Sequence, residues 1–199
     1  MYKKLSIKLT DSLSRKLCFL QEKKEIYYFG FEVLFSSIVY VLLFITTSII
    51  TFSFAESILF LVGFFPIRHI CGGFHANTYT KCHLLFLLNH LVFIALIKIL
   101  PINNYRNISI PVLVFSVLVI FICAPVDHKN KRFIKTEKKR FRKYSLLYII
   151  VLIALILFVL FHPIGSNRFV FSVCLGSLSA SISLMVAKIN NLSERRRMQ

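Results

Sequence analysis

Six stretches of this chain, at about residues 31–54, 57–67, 84–100, 109–125, 146–161 and 169–187, are nearly free of charge and rich in Leu, Ile, Val and Phe. A membrane-spanning helix needs about 20 mostly apolar residues, and about 17 suffice when flanking side chains snorkel or the bilayer thins. Five of the stretches come near that length. The second, 57–67, is too short to span alone, so it is either extended through Ala55 and Glu56 or through Arg68 to Phe74, or it re-enters the membrane under a cover of protein. With 57% hydrophobic residues and 21 Phe among 199, the chain is far too apolar for a disordered basic tail, and a soluble domain of this length could not hide so much apolar surface. The expected fold class is therefore all-α, a polytopic integral membrane protein of about six segments.

The charges fall between the apolar runs. Lys and Arg number 25 against 8 Asp and Glu, a net charge of +17. In a soluble protein that excess would suggest nucleic acid, but here it serves orientation, and nucleic acid is not an expected partner. With six segments and both termini on one side, 22 of the 25 cations share that side, and only Lys98, Arg106 and Arg168 fall on the other. The positive-inside rule makes the rich side cytoplasmic, and anionic membrane lipids are its expected neighbours.

Residues 1–28 form a region of their own, followed by one membrane domain over 29–199. Leu5, Leu9, Leu13, Leu17 and Leu20 draw a single apolar stripe, with lysines elsewhere. The pattern predicts an N-terminal amphipathic helix, lying on the bilayer surface or packed on the protein's own cytoplasmic face. This region lacks a compact apolar run ending in a small-residue cleavage site, so no removable signal peptide is expected. The five cysteines, Cys18, Cys71, Cys82, Cys123 and Cys174, are scattered and imply no disulfide framework.

Residues 66–83 differ from the rest, holding three of the six histidines and two of the five cysteines. On the cytoplasmic side thiols stay reduced, so a cysteine near a histidine can serve as a nucleophile with its base. His75 and Cys82 are seven apart, and on a straight helix their α-carbons would be separated by about 10.5 Å along the axis, too far for easy contact. Gly72-Gly73 and Asn77-Thr78 permit turns, so a break that folds His75 toward Cys82 is expected. The spacing of His69, Cys71, His75, Cys82 and His83 matches no standard zinc pattern, and neither a metal nor another cofactor is expected. An ordinary interfacial loop is the competing reading.

The run Arg68-x-x-x-Gly72-Gly73-x-His75-Ala76-x6-Cys82 resembles the signature of the accessory gene regulator B (AgrB) family, membrane endopeptidases of Gram-positive quorum sensing. Ala124-Pro125-Val126-Asp127, followed by Asn130-Lys131 and a basic stretch, resembles that family's central loop. The resemblance implies a cysteine endopeptidase of the cell membrane, with Cys82 as nucleophile and His75 as base on the cytoplasmic side and Arg68, Gly72 and Gly73 in support. It also implies a small amphipathic AgrD-like propeptide as substrate, a thioester intermediate, cyclisation to a thiolactone or lactone, and a homodimer. Asp127, Glu32, Glu56, Asn77 or a backbone carbonyl could orient the imidazole, and Arg68 or loop amides could face the oxyanion. Lys138, Lys139 and Arg140 of the basic run either anchor the chain at anionic lipid or dock an acidic propeptide tail. The alternative from another class is a small basic transporter or lipid-interacting protein without covalent chemistry.

Within the membrane, Asn89 and His90 should bond between helices or line a cavity, and Gly176, Ser177, Ser179, Ser181 and Ser183 suit close helix packing or dimerisation.

Overall fold

The computed structural model describes residues 2–16, 24–74, 76, 78–126, 133–161 and 167–197. Among them there is no strand. The helices are α1 (Tyr2–Lys16), α2 (Lys24–Ile50), α3 (Phe54–Ile70), α4 (Tyr79–Ile99), α5 (Tyr105–Cys123), α6 (Lys135–Phe161) and α7 (Asn167–Arg197), with a 3-10 turn at Ile102–Asn104. Five of them contain stretches long and apolar enough to cross a membrane, namely Lys24–Ile50, Lys81–Ile99, Ile102–Cys123, Lys135–Phe158 and Arg168–Ser193. The protein is thus an all-α polytopic membrane protein, as its apolar runs predict. It divides into two compact units, one of residues 1–50 and 76–88, the other of residues 51–75 and 89–199.

In the first unit α1 packs on α2, and Lys24 pairs with Asp11 at 2.6 Å. The buried side of α1 carries Ser6 and Thr10, whose hydroxyl donates to the Ser6 carbonyl at 2.8 Å. Leu5 and Leu9, the start of the predicted apolar stripe, are exposed instead. Leu17 and Leu20 lie outside the described residues.

The second unit is built around α3 and α7. Residues 57–67 become the centre of a continuous 17-residue helix, extended at both ends, with a length of about 25 Å at 1.5 Å per residue. The charges of Glu56 and Arg68, which end the apolar run in the sequence, sit in the first and last turns of α3. The two helices run in the same direction: Glu56 meets Arg168 at 2.8 Å at one end, and Arg68 meets Ser183 at 2.9 Å at the other. The Arg168 Nε–H is not aimed at the carboxylate, so that pair is held by charge rather than by a directed hydrogen bond.

Between those ends the backbones touch. A methyl group at Gly63 would collide with the Val173 carbonyl, and one at Gly176 with the Phe60 carbonyl. Such closeness is how helices gain packing in lipid, where apolar burial between them contributes little. The small residues of α7 are therefore engaged within the chain: Ser177 and Ser181 are fully buried, and Ser177 reaches the Gly63 carbonyl at 3.5 Å. His90, fully buried beside Phe60 and Phe93, lies 2.9 Å from the Ser57 hydroxyl, and the Asn89 amide donates to Ser179. Both polar groups of α4 are interhelical links.

Gly63→Ala and Gly176→Ala are each expected to force α3 from α7 and cost about 1–3 kcal/mol, the usual toll of overpacking. Gly30, with open space around it in α2, should instead tolerate Ala and gain up to about 1 kcal/mol of helix propensity. Thermal unfolding of the purified variants in detergent checks both signs.

Candidate functional site

The chain leaves α3 through a turn at residues 71–74 that is fixed from two sides. On one side the Cys71 carbonyl accepts the Val126 N–H at 3.0 Å, and Gly72, at φ +87°, lies so close to the Val126 carbonyl that a Cβ would stand 2.8 Å from it. Glycine alone adopts that conformation without strain. The two stretches that resemble family motifs, separated by some fifty residues of sequence, thus touch through their backbones.

On the other side Arg68 folds back over the turn. One guanidinium nitrogen donates to the Ser183 hydroxyl at 2.9 Å and the other to the Phe74 carbonyl. The Phe74 N–H donates to the Ser183 carbonyl at 3.0 Å and approaches its hydroxyl at 3.1 Å. Any side chain at Gly73 would occupy the place of the Arg68 guanidinium. The spacing Arg68-x-x-x-Gly72-Gly73 is therefore that of a clamp, with a cation at the end of a helix, a turn without side chains, and a carbonyl held just before position 75. A cation in the last turn also complements the negative end of α3.

His75, Asn77 and Asp127 lie outside the described residues. Cys82 occupies the first turn of α4 in the first unit, where its N–H donates to the Thr78 carbonyl at 3.1 Å. The Thr78 hydroxyl caps that turn by accepting the Lys81 N–H at 3.4 Å. The Cys82 side chain is partly exposed. Close by, Tyr40 of α2 packs against His83 and Phe86, with ring centroids 5.4 and 4.6 Å apart.

The other cysteine of the segment has a different setting. Cys71, one residue past α3, is fully buried, with its sulfur 3.3 Å from the Ser145 hydroxyl. Burial pushes its pKa up, and the Ser145 contact and the Arg142 charge offset this only in part. Glu56, an acid considered for orienting the imidazole, stands at the opposite end of α3 and pairs with Arg168. Among the described residues no three His, Cys, Asp or Glu side chains converge in a way that could hold a metal ion.

The basic run also acquires a shape. Lys135, Lys138, Lys139 and Arg142, spaced i, i+3, i+4 and i+7, line one face of α6, and with Lys188 of α7 they border a groove of about 710 Å³. Arg140, on another face, instead donates to the Tyr144 hydroxyl at 3.2 Å and lies over its ring. Lys138 and Lys139 thus share a surface that Arg140 does not. Ser183, Ser145, Arg142 and Lys188 escape sequence reasoning as site residues; only the α6 set carries a signal, its helical spacing.

Helices of membrane-crossing length around a clamped, glycine-bearing turn define a polytopic membrane protein with a loop-borne site. The accessory gene regulator B family model matches residues 6–184, and the chain belongs to that family. An AgrB-like protein of Clostridium perfringens strain SM101 is 29% identical over 174 residues, covering 83% of this chain and 81% of the relative. A second AgrB-like protein, from Clostridium perfringens strain 13, matches to the same extent. No solved structure matches the chain.

In the native protein a maleimide should modify Cys82 about tenfold or more faster than Cys71, because Cys82 is partly exposed whereas Cys71 is buried with its thiol pKa raised. As the raised pKa keeps Cys71 a thiol above the usual range, its slow labelling should climb only at still higher pH. Labelling followed by peptide mass spectrometry reads both sites.

Proposed function

We propose that this chain is the cytoplasm-facing cysteine endopeptidase of a quorum-sensing system, acting on a small amphipathic propeptide like that expected for its family. The observation that carries the reading is the contrast between the two thiols of residues 66–83. Cys71 is sealed against Ser145, whereas Cys82 stays accessible in a capped first turn, seven residues after a histidine whose preceding carbonyl is clamped. Family membership supports the same assignment.

The chemistry is acyl transfer. His75 takes the proton from the Cys82 thiol, and the sulfur attacks a backbone carbonyl of the propeptide. The tetrahedral intermediate collapses as its C–N bond breaks, His75 returns the proton to the departing amine, and the N-terminal portion stays on Cys82 as a thioester. An internal cysteine or serine of that portion then displaces Cys82, giving a thiolactone or lactone and restoring the thiol. Exclusion of water favours ring closure over hydrolysis. Arg68, Gly72 and Gly73 hold the turn that immediately precedes His75 in the chain, and we assign them as positioning residues. Amides of the α4 first turn are candidates to face the oxyanion. The basic ends of the helices orient the chain with both termini in the cytoplasm, and two copies form the working assembly.

Co-expression with a C-terminally tagged propeptide tests this. Tag release should fall at least about a thousandfold, to background, in Cys82→Ala and His75→Ala, and persist in Cys71→Ala. A hydroxylamine-sensitive adduct should form on the wild type alone. Release that survives Cys82→Ala would falsify the assignment, and no release by the wild type with its genomic-neighbour propeptide would favour a protein without covalent chemistry.

A further inference from the structure

We propose that the groove between the end of α5, the basic face of α6 and Lys188 of α7 is a binding site for one anionic glycerophospholipid, with its phosphate on the lysines. The site lies wholly within the second unit and does not depend on the peptidase reading.

The charge of the groove is one-sided. Five of its ten lining residues are cations, Lys135, Lys138, Lys139, Arg142 and Lys188, and none is acidic. Two of them are fixed by the fold. Arg142 donates to the carbonyls of Phe121 and Ala124 at 2.7 and 2.5 Å, and Lys188 donates to that of Ile122 at 2.6 Å. Those carbonyls belong to the end of α5, where helical partners run out, so the two cations cap the helix and stand ready at its negative pole. The three lysines of α6 extend the positive wall.

The remaining lining is apolar and comes from Phe121 to Pro125. Phe121 and Ile122 are exposed, and so are Leu146, Leu147 and Ile150 further along α6. The groove therefore lies where the apolar stretches of α5 and α6 give way to cations, the depth at which a lipid phosphate meets its acyl chains. A free phosphate would use the cations and ignore this apolar continuation. An isolated acidic peptide tail, with no apolar stretch beside it, would do the same. A phospholipid uses both, with its head on the lysines and its chains along the exposed faces of α5 and α6.

The full-length protein, purified with a mixture of phosphatidylglycerol and phosphatidylcholine, provides the test by native mass spectrometry. Wild type should retain phosphatidylglycerol preferentially, and soluble glycerol phosphate at equal concentration should not displace it. The preference should fall about tenfold or more in Lys138→Gln/Lys139→Gln. It should hold in the charge-matched Arg140→Gln/Lys143→Gln, outside the groove, and in Lys138→Arg/Lys139→Arg, which keeps both charges. Equal losses in the two Gln pairs would reduce the effect to general surface charge and overturn the site. So would an absent preference in the wild type, or displacement of the lipid by glycerol phosphate or by an acidic peptide.

Discussion

The backbone contact between α3 and α7 sets the geometry of the second unit. Gly63 and Gly176 let each helix seat its neighbour's carbonyl where a Cβ would otherwise stand. Because both helices are rigid and rise 1.5 Å per residue, that seat fixes what meets beyond it. Arg68 is five residues past Gly63 and Ser183 seven past Gly176, and they arrive opposite each other at 2.9 Å. The clamp on Phe74 is thus a consequence of close packing about two helical turns away. Lipid offers little apolar driving force for helix association, which makes this glycine contact and the polar links Asn89 to Ser179 and His90 to Ser57 the natural adhesives of the unit.

The cysteines show how environment divides one residue type into separate roles. Cys71 and Cys174 are buried and behave as small apolar side chains with a weak donor, while Cys82 remains partly exposed in its helical turn. Only ten residues lie between Cys71 and Cys82, yet the first is sealed against Ser145 and the second sits in a partly exposed helical turn. Arg68 illustrates the same point among the cations. It spends its donors on a serine hydroxyl and a backbone carbonyl, so its charge is built into the turn.

Much of this was legible beforehand. Apolar run length located every helix of the membrane region, because hydropathy is a property of single residues summed along the chain and needs no knowledge of partners. It undersized α3, whose charged terminal turns ended the run at Ile67 although the helix continues to Ile70. Glycines at 72 and 73 announced a turn, and the resemblance of residues 68–82 pointed to the family. Ser183 could not be found in this way. Its role exists only when α7 lies beside α3, and a serine in a row of serines carries no mark of which one will meet a guanidinium. Lys188 and Arg142 were likewise visible as cations but not as caps of α5, since the carbonyls they hold come from a distant stretch of chain. The leucine row predicts a helix, and one spans Tyr2–Lys16, but the side that packs on α2 is the one bearing Ser6 and Thr10.

The dependence of the 71–74 turn on Ser183 has a bearing on biogenesis. Membrane helices enter the bilayer in order of synthesis, and α7 follows α3 by about a hundred residues. Until it does, Arg68 and the Phe74 backbone lack the partner that holds them, and α3 has no Gly176 to rest against. A chain stalled or cut before α7 would carry the whole motif of residues 68–82 yet lack the Ser183 side of the clamp. The conformation of the 71–74 turn thus depends on a helix made about a hundred residues after it.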